Sequence, residues 1–141
     1  MQTKANAVVD EMKETKPQVC YASLAIYSKR ERQEEISRTL DISPTTHRET
    51  SGVFSWIFST KDNQSCTDLE QHLKLLRHRF DGVTEKLVRL SRDDCEMRLW
   101  IYFGAEEINS SILLEEELVA WLARFRADVY VDVWIKGNEG Q

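Results

Sequence analysis

Three histidines, three cysteines and a short run of glutamates are the residues here whose chemistry could reach beyond packing. His72 and His78 lie six positions apart in "LEQHLKLLRHRF". On a helix that spacing turns them ~240° around the axis, so they do not share a metal. His72 borders a leucine stripe and reads as a hydrogen-bonded boundary residue. Cys66 precedes the same helix, close enough in sequence for His72 to act as its base. It falls ahead of the cap whose amides would lower a thiol pKa, so a plain polar turn is the better reading. His47 stands in "PTTHRETSG", read as a polar loop in which Thr46, His47 and Arg48 could hold an anion or rim a ligand pocket. Glu115, Glu116 and Glu117, with Glu106 and Glu107 upstream, make an acidic edge. Consecutive helical carboxylates diverge around the axis. They suit a solvated helix start or a basic partner better than paired acid–base catalysis.

No G-x-G-x-x-G, G-x-x-x-x-G-K-[ST], H-E-x-x-H or C-x-x-C occurs, so no cofactor, metal site or catalytic residue is expected. Cys20, Cys66 and Cys95 are odd in number and widely spaced, which fits reduced thiols in a cytoplasm. Against 24 acidic residues stand 19 basic ones, for a net charge of −5. That sign opposes nucleic-acid binding, which depends on neutralising phosphates. No stretch approaches the ~20 apolar residues of a membrane span. The opening "MQTKANAVVDEMKETKPQ" has no apolar core of a secretory signal. A cytoplasmic protein without membrane contact is expected.

The elements that must position these residues follow from periodicity. Residues 1–18 read as a flexible arm, 19–137 as one domain and 138–141 as a tail. Strands are expected at "VCYASLAIYS", "VFSWIFST", "CEMRLWIYFG" and "VYVDVWIKG". Helices are expected over "KRERQEEISRTLDI", from a Thr67 or Asp68 cap through the stripe Leu69, Leu73, Leu76 and Phe80, around Val83, Leu87 and Leu90, and over "ILLEEELVAWLARFRA". Four strands and amphipathic helices predict an α+β two-layer sandwich: a four-stranded, mainly antiparallel sheet with helices on one face.

The stretches "YASLAIYS", "EEISRTLDISPT", "SGVFSWIFST", "LEQHLKLL" and "LLEEELVAWLARFRADVYVDVWI" together resemble the bacterial family catalogued as domain of unknown function 4279. The resemblance runs from about residue 20 to 136. It implies the fold just described, and neither an activity nor a catalytic motif. A serine-type cap is the family expectation at the last helix, where this chain has Leu114 before its glutamates.

One face of the expected sheet is unusual. Opposite the aliphatic side chains stand Tyr21 and Tyr27, Trp100 and Tyr102, and Tyr130 and Trp134, with Glu96, Arg98 and Asp132 among them. Tyr, Trp and Arg are enriched at binding centres. The functional expectation is therefore a non-enzymatic protein-interaction module, in the manner of an immunity or antitoxin-like inhibitor. Its partner is another protein or a second copy meeting it through the sheet faces near Trp100 and Trp134. The alternative is a small-molecule sensor or an enzyme using a sheet–helix pocket near His47.

Overall fold

Leucine stripes at helical spacing and apolar stripes at period two have to bury each other. In the computed structural model they do so on one side of a single sheet. The structure describes residues 20–63, 65–66, 68–105 and 111–135. The expected arm and tail, Thr67, Glu106 and Glu107 lie outside these residues. The described elements run β1 (Cys20–Ser28), α1 (Gln33–Leu40), β2 (Thr46–Thr50), β3 (Val53–Ser59), α2 (Leu69–Phe80), a 3₁₀ turn (Asp81–Val83), α3 (Thr84–Ser91), β4 (Glu96–Ala105), α4 (Glu116–Arg124) and β5 (Asp128–Ile135).

The sheet order is β2-β3-β1-β4-β5. Three pairings are antiparallel, and β5 lies parallel to β4. The α+β class and the mainly antiparallel sheet stand, with five strands in place of four. The added strand is β2, which corrects the expected loop around His47. Ser51 and Gly52, both at positive φ (52° and 82°), form the two-residue turn of a β2–β3 hairpin, and Thr50 pairs with Val53. Every β2 side chain is exposed, so no apolar alternation marks it.

The core joins Ala22, Leu24 and Ile26 of β1, Trp56 of β3, and Met97, Leu99 and Ile101 of β4 to the inner stripes of all four helices. Hydrogen bonds tie the layers at specific points. The Trp56 indole donates to Ser37 Oγ at 2.9 Å, holding α1 on β3. Trp121 donates to Thr84 Oγ1 at 3.0 Å, holding α4 on α3. His72 is buried, and its Nδ1 lies 2.7 Å from Thr60 Oγ1 at the end of β3, as a boundary histidine should. Asp68 caps α2 by accepting from the Gln71 amide at 2.9 Å.

Two helices are shorter than their patterns suggest. α1 covers only Gln33–Leu40, because Asp41 turns left-handed (φ 57°) and returns its amide to Ser37, well before Pro44. α4 begins at Glu116, with Glu115 at the cap position and no side-chain cap bond. Ahead of α1 sits a residue that periodicity does not flag. Arg32 is buried and donates to both carboxylate oxygens of Glu35 (3.1 and 2.9 Å). It also donates to the Asp93 carbonyl (2.7 Å), Asp93 Oδ2 (3.1 Å) and Cys95 Sγ (3.3 Å). One guanidinium thus fixes the start of α1 against the turn that leads into β4.

Candidate interaction surface

Strand registers put the aromatic residues in contact in a way that spacing alone leaves open. Tyr21 stands opposite Tyr102 across the antiparallel β1–β4 pair, and Trp100 opposite Tyr130 across the parallel β4–β5 pair. The two tyrosine rings stack at 4.4 Å with a 23° interplanar angle. Trp100 lies 4.7 Å from Tyr130 and 6.2 Å from Tyr102, so four rings form one continuous stack across three strands. Small residues on the central strand make room for it. Ser23 pairs with Trp100 and Ala25 with Arg98, and both small side chains are buried beneath their larger neighbours.

Arg98 completes the arrangement. Its guanidinium lies 4.7 Å from the ring centres of both Tyr27 and Tyr130, a cation held between two π-faces. The Trp100 indole donates to Tyr27 Oη at 2.9 Å, and Lys61 sits 5.4 Å over Tyr21. Burial pushes the Tyr102 hydroxyl above its ordinary pKa, with Tyr21, Tyr27 and Asp132 adding to the effect. The face is thus a pre-assembled aromatic lattice with the cation built in. Sequence periodicity identifies its members; Arg98 as the clamp between two rings becomes visible only with the register.

Exposure is uneven across this face. Tyr21, Tyr27, Trp100 and Tyr102 are half-buried by one another. Tyr130 remains 38% and Trp134 46% exposed, and both belong to β5. Trp134 pairs with Gly104, which offers no side chain to pack against. Asp132 pairs with Tyr102 on the same face. On the opposite face of β5, Val129, Val131 and Val133 continue the aliphatic side of β4, yet they too are exposed. The helices do not reach over this strand, so the helix layer expected on one face of the sheet covers only part of that face.

The remaining candidate residues are placed differently. Strand alternation sends His47, opposite Trp56, to the helix side of the sheet, while Thr46 and Arg48 lie on the aromatic side. All three are exposed. His47 and Thr46 border an open depression of about 1110 Å³ beside α1 with Glu34, Glu35 and Arg38; Arg48 stands outside it. Glu115, Glu116 and Glu117 are exposed, and Glu115 and Glu117 face Lys74, Arg77 and His78 of α2 across a groove of about 620 Å³. The acidic edge is therefore partly answered within the chain. Cys20 and Cys95 are buried, Cys66 half-buried, and all three are free. Burial, then Asp68 and Cys66, push the Cys20 thiol up to about 11, the reverse of an activated nucleophile. Among the described residues no cluster of histidine, cysteine and carboxylates could hold a metal ion. No described helix is long and apolar enough to cross a membrane.

No curated protein and no solved structure matches the chain. The family model described as "Domain of unknown function (DUF4279)" matches residues 18–136, the span that contains the sheet, all four helices and the aromatic lattice. The chain belongs to the DUF4279 family.

Proposed function

We propose that the protein is a non-catalytic binding module that presents the aromatic face of its sheet to a partner protein. The observation that carries this reading is the lattice of Tyr21, Tyr102, Trp100 and Tyr130 with Arg98 locked between Tyr27 and Tyr130. Stacking has already removed much of the rotamer freedom that binding would otherwise have to remove, so a partner meets a rigid surface. The residue types are those of interface centres. A net charge of −5 favours a protein partner over nucleic acid stacked on the same rings, and a basic protein over an acidic one. Within this class, small size and acidity fit an immunity or antitoxin-like inhibitor.

The test compares the full chain with Tyr102→Ala as bait in extract of the cells that make it, with circular dichroism confirming the fold of both. Truncating a central ring of an interface costs at least ~2 kcal/mol, roughly 30-fold in affinity. A protein retained by the wild type and lost with Tyr102→Ala supports the reading. Identical capture by both forms contradicts it.

A further inference from the structure

The sheet ends in two very different edges. At one end β2 is polar throughout, carries His47, Arg48 and Glu49, and has the charged character that discourages strand addition. At the other end β5 pairs only with β4 among the described residues. Its Val129, Val131 and Val133 are 37%, 45% and 49% exposed on one face, with Tyr130 and Trp134 exposed on the other. An edge strand with one neighbour among the described residues and apolar side chains on both faces is a template for another strand.

We propose that β5 pairs with β5 of a second copy, antiparallel about a two-fold axis, to join two five-stranded sheets into one. A two-fold axis perpendicular to the sheet keeps each face on its own side, so valines meet valines and the aromatic faces become neighbours. The aspartates then select the register. The eight-residue strand has two pairings that leave only one residue out, centred on Val131 or on Asp132. Centring on Asp132 would place two carboxylates directly opposite each other, which is destabilising. Centring on Val131 pairs Val131 with itself, Val129 with Val133, Tyr130 with Asp132 and Asp128 with Trp134. No aspartate then faces another. The strand extends ~27 Å at ~3.4 Å per residue. A ladder of that length with its flanking side chains falls below the ~1,200–2,000 Å² of stable specific interfaces, in the size class of weak, transient ones. A micromolar dimer is the expected strength.

The dimer deepens the partner-binding reading, since it sets two aromatic faces side by side on one surface, with the helices of both copies behind. Its test uses the purified full chain alone, so its failure leaves that reading intact, and loss of partner capture leaves the dimer intact. Sedimentation across a concentration series should show the wild type passing from monomer to dimer in the micromolar range. Val131→Lys puts two cations face to face on the axis and should weaken association roughly 100-fold, with an unchanged circular dichroism spectrum. Val131→Cys should form an intermolecular disulfide on mild oxidation, because residues on the axis bring their Cβ atoms to ~4.5–5.5 Å. Asp132→Cys should not, being displaced along the ladder from its own copy. A wild type that stays monomeric at high micromolar concentration overturns the proposal, as does a Val131→Lys protein that still dimerises. Preferential cross-linking through Asp132→Cys overturns the register.

Discussion

Replacing Arg98 with methionine removes the guanidinium while keeping most of the stem, and the cost can be worked from two contacts. The guanidinium carbon lies 4.7 Å from each of the Tyr27 and Tyr130 ring centres. A cation over an aromatic face contributes ~0.5–1 kcal/mol when exposed and ~2 kcal/mol when desolvated. Arg98 is half-buried, so the two contacts together should contribute about 1–3 kcal/mol. The assay is urea unfolding of Arg98→Met, Tyr27→Leu and their combination, with a second cycle on Tyr130→Leu. Both cycles belong in the Val131→Lys background, so that subunit dissociation does not enter the transition. Each isolates one ring's coupling to the cation, expected at about 0.5–1.5 kcal/mol. Tyr27→Phe separates the hydrogen bond from Trp100 to Tyr27 Oη from the ring contact. The Tyr130 cycle carries the greater weight, because that contact ties the edge strand to the rest of the face. Coupling below about 0.2 kcal/mol in both cycles would refute the picture of a pre-assembled lattice.

Arg32→Leu should destabilise the fold by about 1.5–3 kcal/mol in urea unfolding. Its carboxylate partners Glu35 and Asp93, 44% and 64% exposed, can turn back to water, so the larger cost of a stranded buried charge does not apply. Burial holds His72 below the ordinary value of 6.5, opposed only by Asp68. The unfolded chain therefore takes up a proton first, and stability should fall as pH drops below 6.5; His72→Gln should flatten that slope in unfolding curves recorded across pH. Cys20 behaves in the opposite direction. Its thiol, raised from 9.0 to about 11, stays protonated in the folded state while the unfolded thiol ionises. Stability that is intact below pH 9 should decline by about 2 kcal/mol between pH 9 and 11, and Cys20→Ala should remove that decline. Thiol titration in denaturant without reductant should find three free groups, and fewer would contradict the assignment of reduced cysteines.

Much of this architecture is legible in the sequence, and the parts that are not have physical reasons. β1, β3, β4 and β5 announce themselves because each alternates apolar side chains at period two. β2 does not, since a strand exposed on both faces has no stripe to show; only Ser51-Gly52 hints at its hairpin. The parallel pairing of β5 with β4 depends on where the chain returns after α4, which no local pattern records. Arg32 looks like one more solvated charge in "KRERQEE", and only the approach of Asp93 and Cys95 from the turn before β4 makes it a buried anchor. The aromatic members of the face are readable from the spacing, whereas the concentration of exposed area on β5 is not. Period-two patterning distinguishes the two faces of a strand but carries no information on how far the helices extend. His47 and Arg48 show the same limit from the other side: neighbours in sequence, they are sent to opposite faces by β2.

A partner protein is proposed to seat on the aromatic face of the sheet. Oxidative footprinting of the chain alone and in the complex it captures measures this directly, reading modification of Trp100, Tyr102 and Trp134 against His47 and the helix surfaces. Strong protection of the three aromatic residues is expected in the complex, with His47 unchanged. Protection centred on His47 and α1, with the aromatic face still open to modification, would contradict it.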